Sequence, residues 1–133
     1  MKVYIMGPKQ LAGKSYIPFY KNIVTFTKNY FTNVVCTYPD FWESKMAPKD
    51  HYGFLKRQIK SCDLLIAEVS VPATGLGVQL EMAVACKVPV IALVKEGCIP
   101  STLAVGCPAV KSIVGYKGQK DLNLKLKMEF EKL

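Results

Sequence analysis

The amino-acid sequence predicts an α/β fold in which helices cover both faces of a five-stranded parallel sheet, giving three layers. Short β-rich segments alternate with longer segments of helical periodicity along the 133 residues. The segments DLLIAEV and VPVIALV are apolar almost throughout, which is typical of strands buried on both faces of a parallel sheet. We expect one domain over residues 1–133, since a chain of this length buries a sizeable core unaided.

The first part of the chain predicts two strands joined by a helix. Lys2–Met6 is a β-rich run that ends at a Gly-Pro turn and a polar loop. Ser15 is placed to cap a helix over Tyr16–Tyr30, where apolar residues recur at helical spacing. Asn33–Tyr38 has the composition of a second strand.

The middle of the chain begins with residues 39–49, which show no clear period and are a candidate lid beside a site. A second helix is expected from about His51 to Ser61, followed by a third strand over Asp63–Val69. After a glycine-containing loop, the pattern predicts a helix over Val78–Lys87 and a buried fourth strand over Val88–Val94.

The last part predicts a short helix over Ser101–Val105, a weaker edge strand over Ala109–Val114 and a terminal helix from about Leu122. Alternating strands and helices with right-handed crossovers fit a flavodoxin-like, or Rossmann-like, strand order of 2-1-3-4-5. In such sheets ligands bind beyond the carboxyl ends of the strands, where the order reverses. The site is therefore expected between Gly7–Ser15 and Val69–Gln79.

The chain carries a formal net charge of +8, with many lysines and a single arginine, Arg57. Sequence-specific reading of duplex DNA depends on arginine forks and extended basic faces, whereas these lysines are scattered. The charge therefore favours small anionic ligands such as phosphates over specific nucleic acid binding. A solvated lysine coat is the alternative interpretation.

The sequence gives no reason to expect a membrane anchor, a metal or a cofactor. No apolar run reaches the roughly 20 residues of a membrane span, and Met1–Met6 is too short for a signal-peptide core. A cytoplasmic location is therefore expected. The five cysteines lack CxxC spacing and His51 is the only histidine, so a zinc site is not expected.

A segment rich in glycine and lysine, GPKQLAGKS, follows the first strand. It places five residues between its glycines, whereas the P-loop of nucleotide hydrolases has four, so it would wrap a phosphate differently. Two interpretations remain open. Lys9, Lys14 or Ser15 contacts a phosphate, or the segment is an ordinary turn between a strand and a helix.

Four further positions near the expected crevice are candidate site residues. Gly75 and Gly77 precede a helix whose first N–H groups and partial positive charge favour a phosphate or a carboxylate. Glu81, in an otherwise apolar helix, either marks an exposed stripe or lies in a pocket. Glu68, at the end of the third strand, either faces the crevice or has a structural hydrogen-bond partner.

The segment Cys62–Ala85, CDLLIAEVSVPATGLGVQLEMAVA, resembles the nucleoside 2-deoxyribosyltransferase superfamily, in particular its branch of 2′-deoxynucleoside 5′-phosphate N-hydrolases. In that family a segment of the type D-hydrophobic-AEV-(S/T)-x-P-S-x-G-x-G-x-E-L-G carries the site. KVYIMG at residues 2–7 is similar to the first strand of the family, with Tyr4 at its active-site tyrosine position. Ser101 falls near a serine that, in the hydrolase branch, reaches the phosphate in a neighbouring subunit.

The resemblance implies cleavage or exchange of the N-glycosidic bond of deoxynucleosides or their 5′-monophosphates. In the family a glutamate attacks C1′, the base leaves with proton assistance, and water or a second base resolves the glycosyl-enzyme. This chemistry needs one carboxylate for the oxocarbenium-like carbon and a second acid for the leaving base. The resemblance also implies a homodimer, which the nearly all-round apolar segment Val78–Cys86 favours independently.

The sequence departs from the family pattern at its decisive positions. Gln79 occupies the place of the nucleophilic glutamate, Leu55 that of the upstream aspartate, and Ala73 that of the loop serine, with Thr74 beside it. A neutral amide supplies neither anionic stabilisation nor an easy covalent intermediate, so the family reaction is expected to be severely slowed. Glu81 is the candidate displaced nucleophile, although two helix positions turn its side chain about 200° away from that of Gln79.

Two functions are therefore open for a nucleoside or nucleoside monophosphate ligand. One is N-glycosidic hydrolysis or base exchange with an altered catalytic set, and the other is a nucleotide-binding sensor without the chemistry. The candidate catalytic residues are Tyr4, Gln79 and Glu81. The candidate substrate-binding residues are Gly7, Lys9, Glu68, Thr74, Gly75, Gly77 and Ser101. The whole assignment requires Gln79 to lie next to Tyr4.

Overall fold

A computed structural model of the chain describes residues 1–11, 13–38 and 46–133 and confirms the α/β class. In chain order its elements are β1 (Lys2–Met6), β2 (Gln10–Leu11), β3 (Lys14–Ser15), α1 (Ile17–Thr27), β4 (Asn33–Cys36), α2 (Pro48–Lys60), β5 (Leu64–Glu68), α3 (Thr74–Cys86), β6 (Val90–Lys95), α4 (Thr102–Val105), β7 (Val110–Tyr116) and α5 (Gln119–Glu131).

Five strands form one parallel sheet, hydrogen bonded in the order β4-β1-β5-β6-β7. Counted among themselves along the chain, these strands have the order 2-1-3-4-5. The two remaining strands, β2 and β3, pair antiparallel to each other and form a separate small sheet. The strand order therefore reverses between β1 and β5, as expected from the sequence.

Two apolar clusters cover the two faces of the sheet. On one face, Ile5 and Ile66 pack with residues of α1 and α5. On the other face, Tyr4, Leu65 and residues of α2 and α3 form the second cluster. Successive strand residues point to opposite faces, so neighbouring positions of β1 and β5 belong to different clusters. This alternation decides which side chains meet at the candidate site.

Helix α3 begins at Thr74, four residues before the predicted start at Val78. Glycine is a weak helix former, and Gly75 and Gly77 therefore indicated a loop. In the structure Ala73 is extended and the helix starts directly after it. Helices α2 and α5 likewise begin three residues earlier than predicted, at Pro48 and Gln119. Proline is favoured in a first helical turn because it has no N–H to leave unpaired.

The expected polar loop after β1 contains the β2–β3 pair instead. Gln10 pairs with Ser15, and Leu11 pairs with Lys14. The candidate lid over residues 39–49 lies outside the described residues as far as position 45, and its last two residues begin α2. Among the helices that the structure describes, none has the length and apolar character of a membrane span.

Gly7, directly after β1, is a position where a side chain has no room. A Cβ there would collide with the Tyr20 hydroxyl and would lie 2.8 Å from the Glu68 Cβ. We expect Gly7→Ala to lower the free energy of unfolding by about 1–3 kcal/mol, because the surrounding groups must shift. Urea unfolding followed by circular dichroism measures this difference.

The matched control is Gly115→Ala, in β7, where nothing lies within 4 Å of the added Cβ. We expect this control to change stability by less than about 0.5 kcal/mol. Equal stabilities of the two variants would show that the close approach at Gly7 is not a real constraint.

Candidate functional site

Tyr4 and Gln79 meet at the carboxyl edge of the sheet, where the strand order reverses. The Tyr4 hydroxyl donates a hydrogen bond to Gln79 Oε1 at 3.1 Å. The same hydroxyl lies 2.8 Å from Thr37 Oγ1. β1, the segment after β4 and the second turn of α3 thus each supply one polar side chain. The proximity of Tyr4 and Gln79 that the sequence reading required is observed.

Thr37 is a member of this cluster that sequence reasoning missed. Its hydroxyl lies 3.4 Å from the carbonyl oxygen of Ile5, and its backbone N–H donates to the same carbonyl at 2.9 Å. Its position directly after β4, beside the switch point, was the feature of the sequence that could have identified it as a site residue. The predicted strand ran on to Tyr38, which placed Thr37 inside a strand rather than at its end.

The Tyr4 hydroxyl is a hydrogen-bond donor at neutral pH. Tyr4 is fully buried, and this burial raises the pKa of its phenol well above the ordinary value of 10. Gln79 accepts the Tyr4 bond with its carbonyl, while its Nε2 donates back to the Gly75 carbonyl at 3.3 Å. The amide dipole is therefore held in one direction, without a negative charge.

An apolar residue, Leu55, occupies the position of the upstream aspartate of the family pattern. Leu55 is buried in the same cluster as Tyr4 and lies on α2. A leucine neither donates nor accepts a proton. With Gln79 and Leu55 in these places, the described residues around Tyr4 offer hydrogen-bonding groups but not the two carboxyl groups of the family pattern.

Glu68 does not join the Tyr4 cluster. The residue is 1% exposed and lies at the end of β5, with its side chain toward α1 and β7. Its Oε1 accepts the N–H of Ser70 at 2.6 Å, and its Oε2 accepts the hydroxyl of Tyr116. Of the two roles considered from the sequence, the structure shows the structural partner and not a side chain open to the crevice.

Glu81 is also separated from Gln79. Because α3 starts earlier than predicted, the late helix start that would align the two side chains does not occur. Glu81 is exposed and lines a groove of about 900 Å³ between α3 and α4. Thr74, Gly77 and Ser101 line the same groove. These four candidates therefore form a second group, apart from the Tyr4–Gln79 contact.

The first turn of α3 offers backbone donors beside Gln79. Ala73 makes no side-chain capping bond, and the N–H groups of residues 74–76 precede the first bond within the helix, from Gly77 to Ala73. Gly75 and Gly77 lie inside this turn rather than in a preceding loop. Unpaired helix N–H groups bind anions such as phosphate.

Lys9 and Lys14 lie in the segment that joins β1 to α1. Lys9 is half-exposed, and its carbonyl accepts the N–H of Tyr16 at 2.8 Å. Lys14 is exposed in β3, paired with Leu11. A hairpin here differs from the P-loop, which runs directly into a helix. Within the described parts of the chain, no three metal-binding side chains gather in one place.

Comparison with known proteins supports the resemblance found in the sequence. No protein-family profile matches the chain. A relative from Methanosarcina mazei, named Putative 2′-deoxynucleoside 5′-phosphate N-hydrolase 1, is 36% identical over 66 residues. The match covers 50% of this chain and only 41% of that relative. The expected resemblance to the 2′-deoxynucleoside 5′-phosphate N-hydrolase branch is confirmed.

Solved structures share the fold over nearly the whole chain. The CMP N-glycosidase BcmB of Clostridium botulinum has a TM-score of 0.72 at 20% identity, covering 96% of this chain and 99% of that one. A conserved protein from Enterococcus faecalis V583 has a TM-score of 0.67 at 14% identity, covering 96% and 98%. At these identities the likeness shows the three-layer fold.

The buried Glu68 makes stability depend on pH. Desolvation raises the pKa of Glu68 above its ordinary value of 4.5, against the opposing hydrogen bonds from Ser70 and Tyr116. Its protonated form is favoured by folding, so its contribution to stability is complete below about pH 4.5 and is lost as the pH rises through the raised pKa. Glu68→Gln is neutral at every pH. We therefore expect its free energy of unfolding to increase relative to that of the wild type as the pH rises through the raised pKa of Glu68.

The measurement is the free energy of urea unfolding of both proteins between about pH 4 and pH 8. Glu131→Gln, the same change at an exposed side chain of α5, is the matched control. A difference between wild type and Glu68→Gln that does not vary with pH would contradict the expectation.

Proposed function

We propose that the chain hydrolyses the N-glycosidic bond of a nucleoside 5′-monophosphate at the carboxyl edge between β1 and β5. The observation that carries this proposal is the hydrogen bond from Tyr4 to Gln79. It joins the two positions that correspond to the tyrosine and the nucleophile of the family pattern. The similarity to a protein named as an N-hydrolase supports the same class of reaction.

The phosphate belongs at the first turn of α3. The backbone donors of residues 74–76 and the partial positive charge of the helix start favour a dianion there. The five steps from Thr74 to Gln79 rise by about 7.5 Å along the helix axis. A 5′-phosphate at the helix start therefore leaves the sugar near Gln79 and Tyr4. The net charge of +8 assists the approach of an anionic substrate.

Gln79 orients the sugar in this proposal rather than attacking it. Its carbonyl presents the negative end of a fixed dipole, which stabilises positive charge at C1′ less than a carboxylate does. A covalent glycosyl-enzyme is unfavourable with an amide at this position. Direct attack by water is therefore the route that fits, and hydrolysis is favoured over exchange of one base for another. Turnover is slow for the same reason.

The sensor alternative has no support in the comparisons. The relative and the structural neighbour whose names state an activity are named as an N-hydrolase and an N-glycosidase. Tyr4, Gln79, Gly75 and Lys9 are the residues that we assign to the nucleotide site. Gly7 and Glu68 support its walls from the opposite face of the sheet.

A homodimer through the α3–α4 groove is the second part of the proposal. Val78 is 40% exposed, and Leu103 is 85% exposed on α4. Both side chains line the groove, next to Ser101 at the start of α4. A second copy seated here would cover these apolar side chains and would bring Ser101, Thr74, Gly77 and Glu81 to the subunit boundary.

Gln79→Glu tests the chemistry. A carboxylate at this position restores anionic stabilisation of C1′, so we expect the rate of base release from a nucleoside 5′-monophosphate to rise at least about tenfold. Ribo- and deoxyribonucleoside monophosphates of each base are incubated with the protein, and free base is measured by liquid chromatography. Gln58→Glu, at the amino edge of the sheet beside Lys2, is the isosteric control and leaves the rate unchanged.

Two outcomes would contradict this assignment. The first is that neither the wild type nor Gln79→Glu binds a nucleotide or releases base. The second is a collapse of the wild-type rate in Glu81→Gln, which would place the chemistry in the α3–α4 groove. Persistence of turnover in Glu81→Gln supports the Tyr4–Gln79 site.

Leu103→Glu tests the dimer. We expect the wild type to have twice the chain mass in solution and Leu103→Glu to shift toward the monomer, since the new charge would be buried in the interface. Leu124→Glu is the control, because Leu124 is 64% exposed on α5 at the other face. Light scattering after size exclusion gives the mass. A monomeric wild type at tens of micromolar, or dissociation by Leu124→Glu alone, would contradict the proposed interface.

A further inference from the structure

A series of hydrogen bonds starts at the buried Glu68 and runs through the hydroxyl groups of Tyr116 and Tyr16. None of these three residues is assigned to the nucleotide site of the proposal. Glu68 Oε2 accepts the Tyr116 hydroxyl, and the Tyr116 hydroxyl contacts that of Tyr16. Phe19 stacks on both tyrosine rings, with centroid distances of 4.1 Å to Tyr16 and 5.6 Å to Tyr116. The two phenols are thus held side by side while their oxygens bond in series.

This series of hydrogen bonds joins segments that are far apart in the sequence and meet at the carboxyl edge of the sheet. Glu68 ends β5, Tyr116 ends β7, and Tyr16 immediately precedes α1. Ser70, whose N–H donates to Glu68, also accepts the N–H of Lys95 from β6 through its hydroxyl at 2.7 Å. One buried carboxylate therefore organises the ends of three strands and the start of a helix.

At its far end, this series of hydrogen bonds holds the segment between β1 and α1. The N–H of Tyr16 donates to the Lys9 carbonyl at 2.8 Å. The Tyr20 hydroxyl donates to the Pro8 carbonyl at 2.6 Å. Tyr20 of α1 thus fixes the backbone of Pro8, and Tyr16, directly before α1, fixes that of Lys9. Tyr16 is in turn bonded to Tyr116.

We propose that Glu68 and Tyr116 are positioning residues that hold Lys9, through Tyr16, at the wall of the nucleotide site. The expected effect on nucleotide binding rests on the proposed function. The effect on the segment between β1 and α1 does not, because it exists without a ligand. Neither Glu68 nor Tyr116 touches the nucleotide. Their role is to fix the backbone against which it binds.

The hydroxyl of Tyr116 is the link that can be removed alone. Tyr116→Phe keeps the ring and its stacking on Phe19 but deletes the bonds to Glu68 and Tyr16. We expect exchange of the Tyr16 amide hydrogen to become about two- to tenfold faster, the effect of losing the one bond between Tyr116 and Tyr16. We also expect KM for the nucleoside monophosphate to rise by a similar factor, with kcat changed less than about twofold.

Conservative rescue separates positioning from packing. In Glu68→Gln the amide oxygen still accepts the Ser70 N–H, and the amide nitrogen donates to the Tyr116 oxygen, so the chain persists with its direction reversed. We expect near-normal exchange and KM in Glu68→Gln, and the Tyr116→Phe phenotype in Glu68→Ala. Tyr30→Phe, at a 40% exposed tyrosine near the end of α1, is the control for loss of a phenol.

Hydrogen exchange followed by NMR decides the inference, with the amide of the fully buried Leu65, bonded to the Pro89 carbonyl, as the internal reference for global opening. Selective acceleration at Tyr16 with a higher KM supports it. An unchanged Tyr16 rate in Tyr116→Phe overturns it, and faster exchange with unchanged KM overturns the link to substrate. If the wild type turns over no nucleotide, the proposed function fails and the exchange rates alone decide the positioning role.

Discussion

The hydrogen bond from the Tyr4 hydroxyl to Gln79 Oε1 is the interaction on which the account of this protein depends. It joins the inner strand β1 to the second turn of α3 beside the switch point of the sheet. Burial keeps the phenol protonated, so the bond has a fixed direction at neutral pH. The amide at position 79 must then present its carbonyl to Tyr4 and its nitrogen to Gly75.

The absence of charge at position 79 shapes the chemistry that this site can support. A carboxylate there would combine attraction for a positive C1′ with the capacity to form a covalent bond, whereas an amide retains only orientation and a dipole. Leu55 removes a second carboxyl from the same side of the sheet. The backbone donors of α3 remain, because they depend on the helix and not on side-chain identity. The backbone donors at the helix start therefore do not depend on a carboxylate at position 79.

The sheet and its strand order were predictable because buried parallel strands leave continuous apolar runs, as in β5 and β6. The start of α3 was not, since helix propensity treats Gly75 and Gly77 as breakers while packing of Leu76 and Leu80 holds the helix in place. The β2–β3 hairpin left no signal, because each of its strands is two residues long.

Part of the candidate site followed from the sequence as well. The choice of Tyr4 and Gln79 came from the family resemblance, and topology predicted only that the segments after β1 and β5 meet beside the start of α3. The separation of Glu81 from Gln79 followed from helix geometry. The partners of Glu68 did not follow from the sequence. Tyr116 lies 48 residues downstream of Glu68 and Tyr16 lies 52 residues upstream, and only the folded chain brings the three together.

An NMR titration with a nucleoside 5′-monophosphate tests the central claim most directly, with the side-chain amide of Gln79 as the probe. We expect saturable shifts of the Gln79 Nε2 resonances, together with those of the backbone amides at residues 74–76. Saturable shifts confined to other surfaces, with the Gln79 amide unmoved, would contradict it.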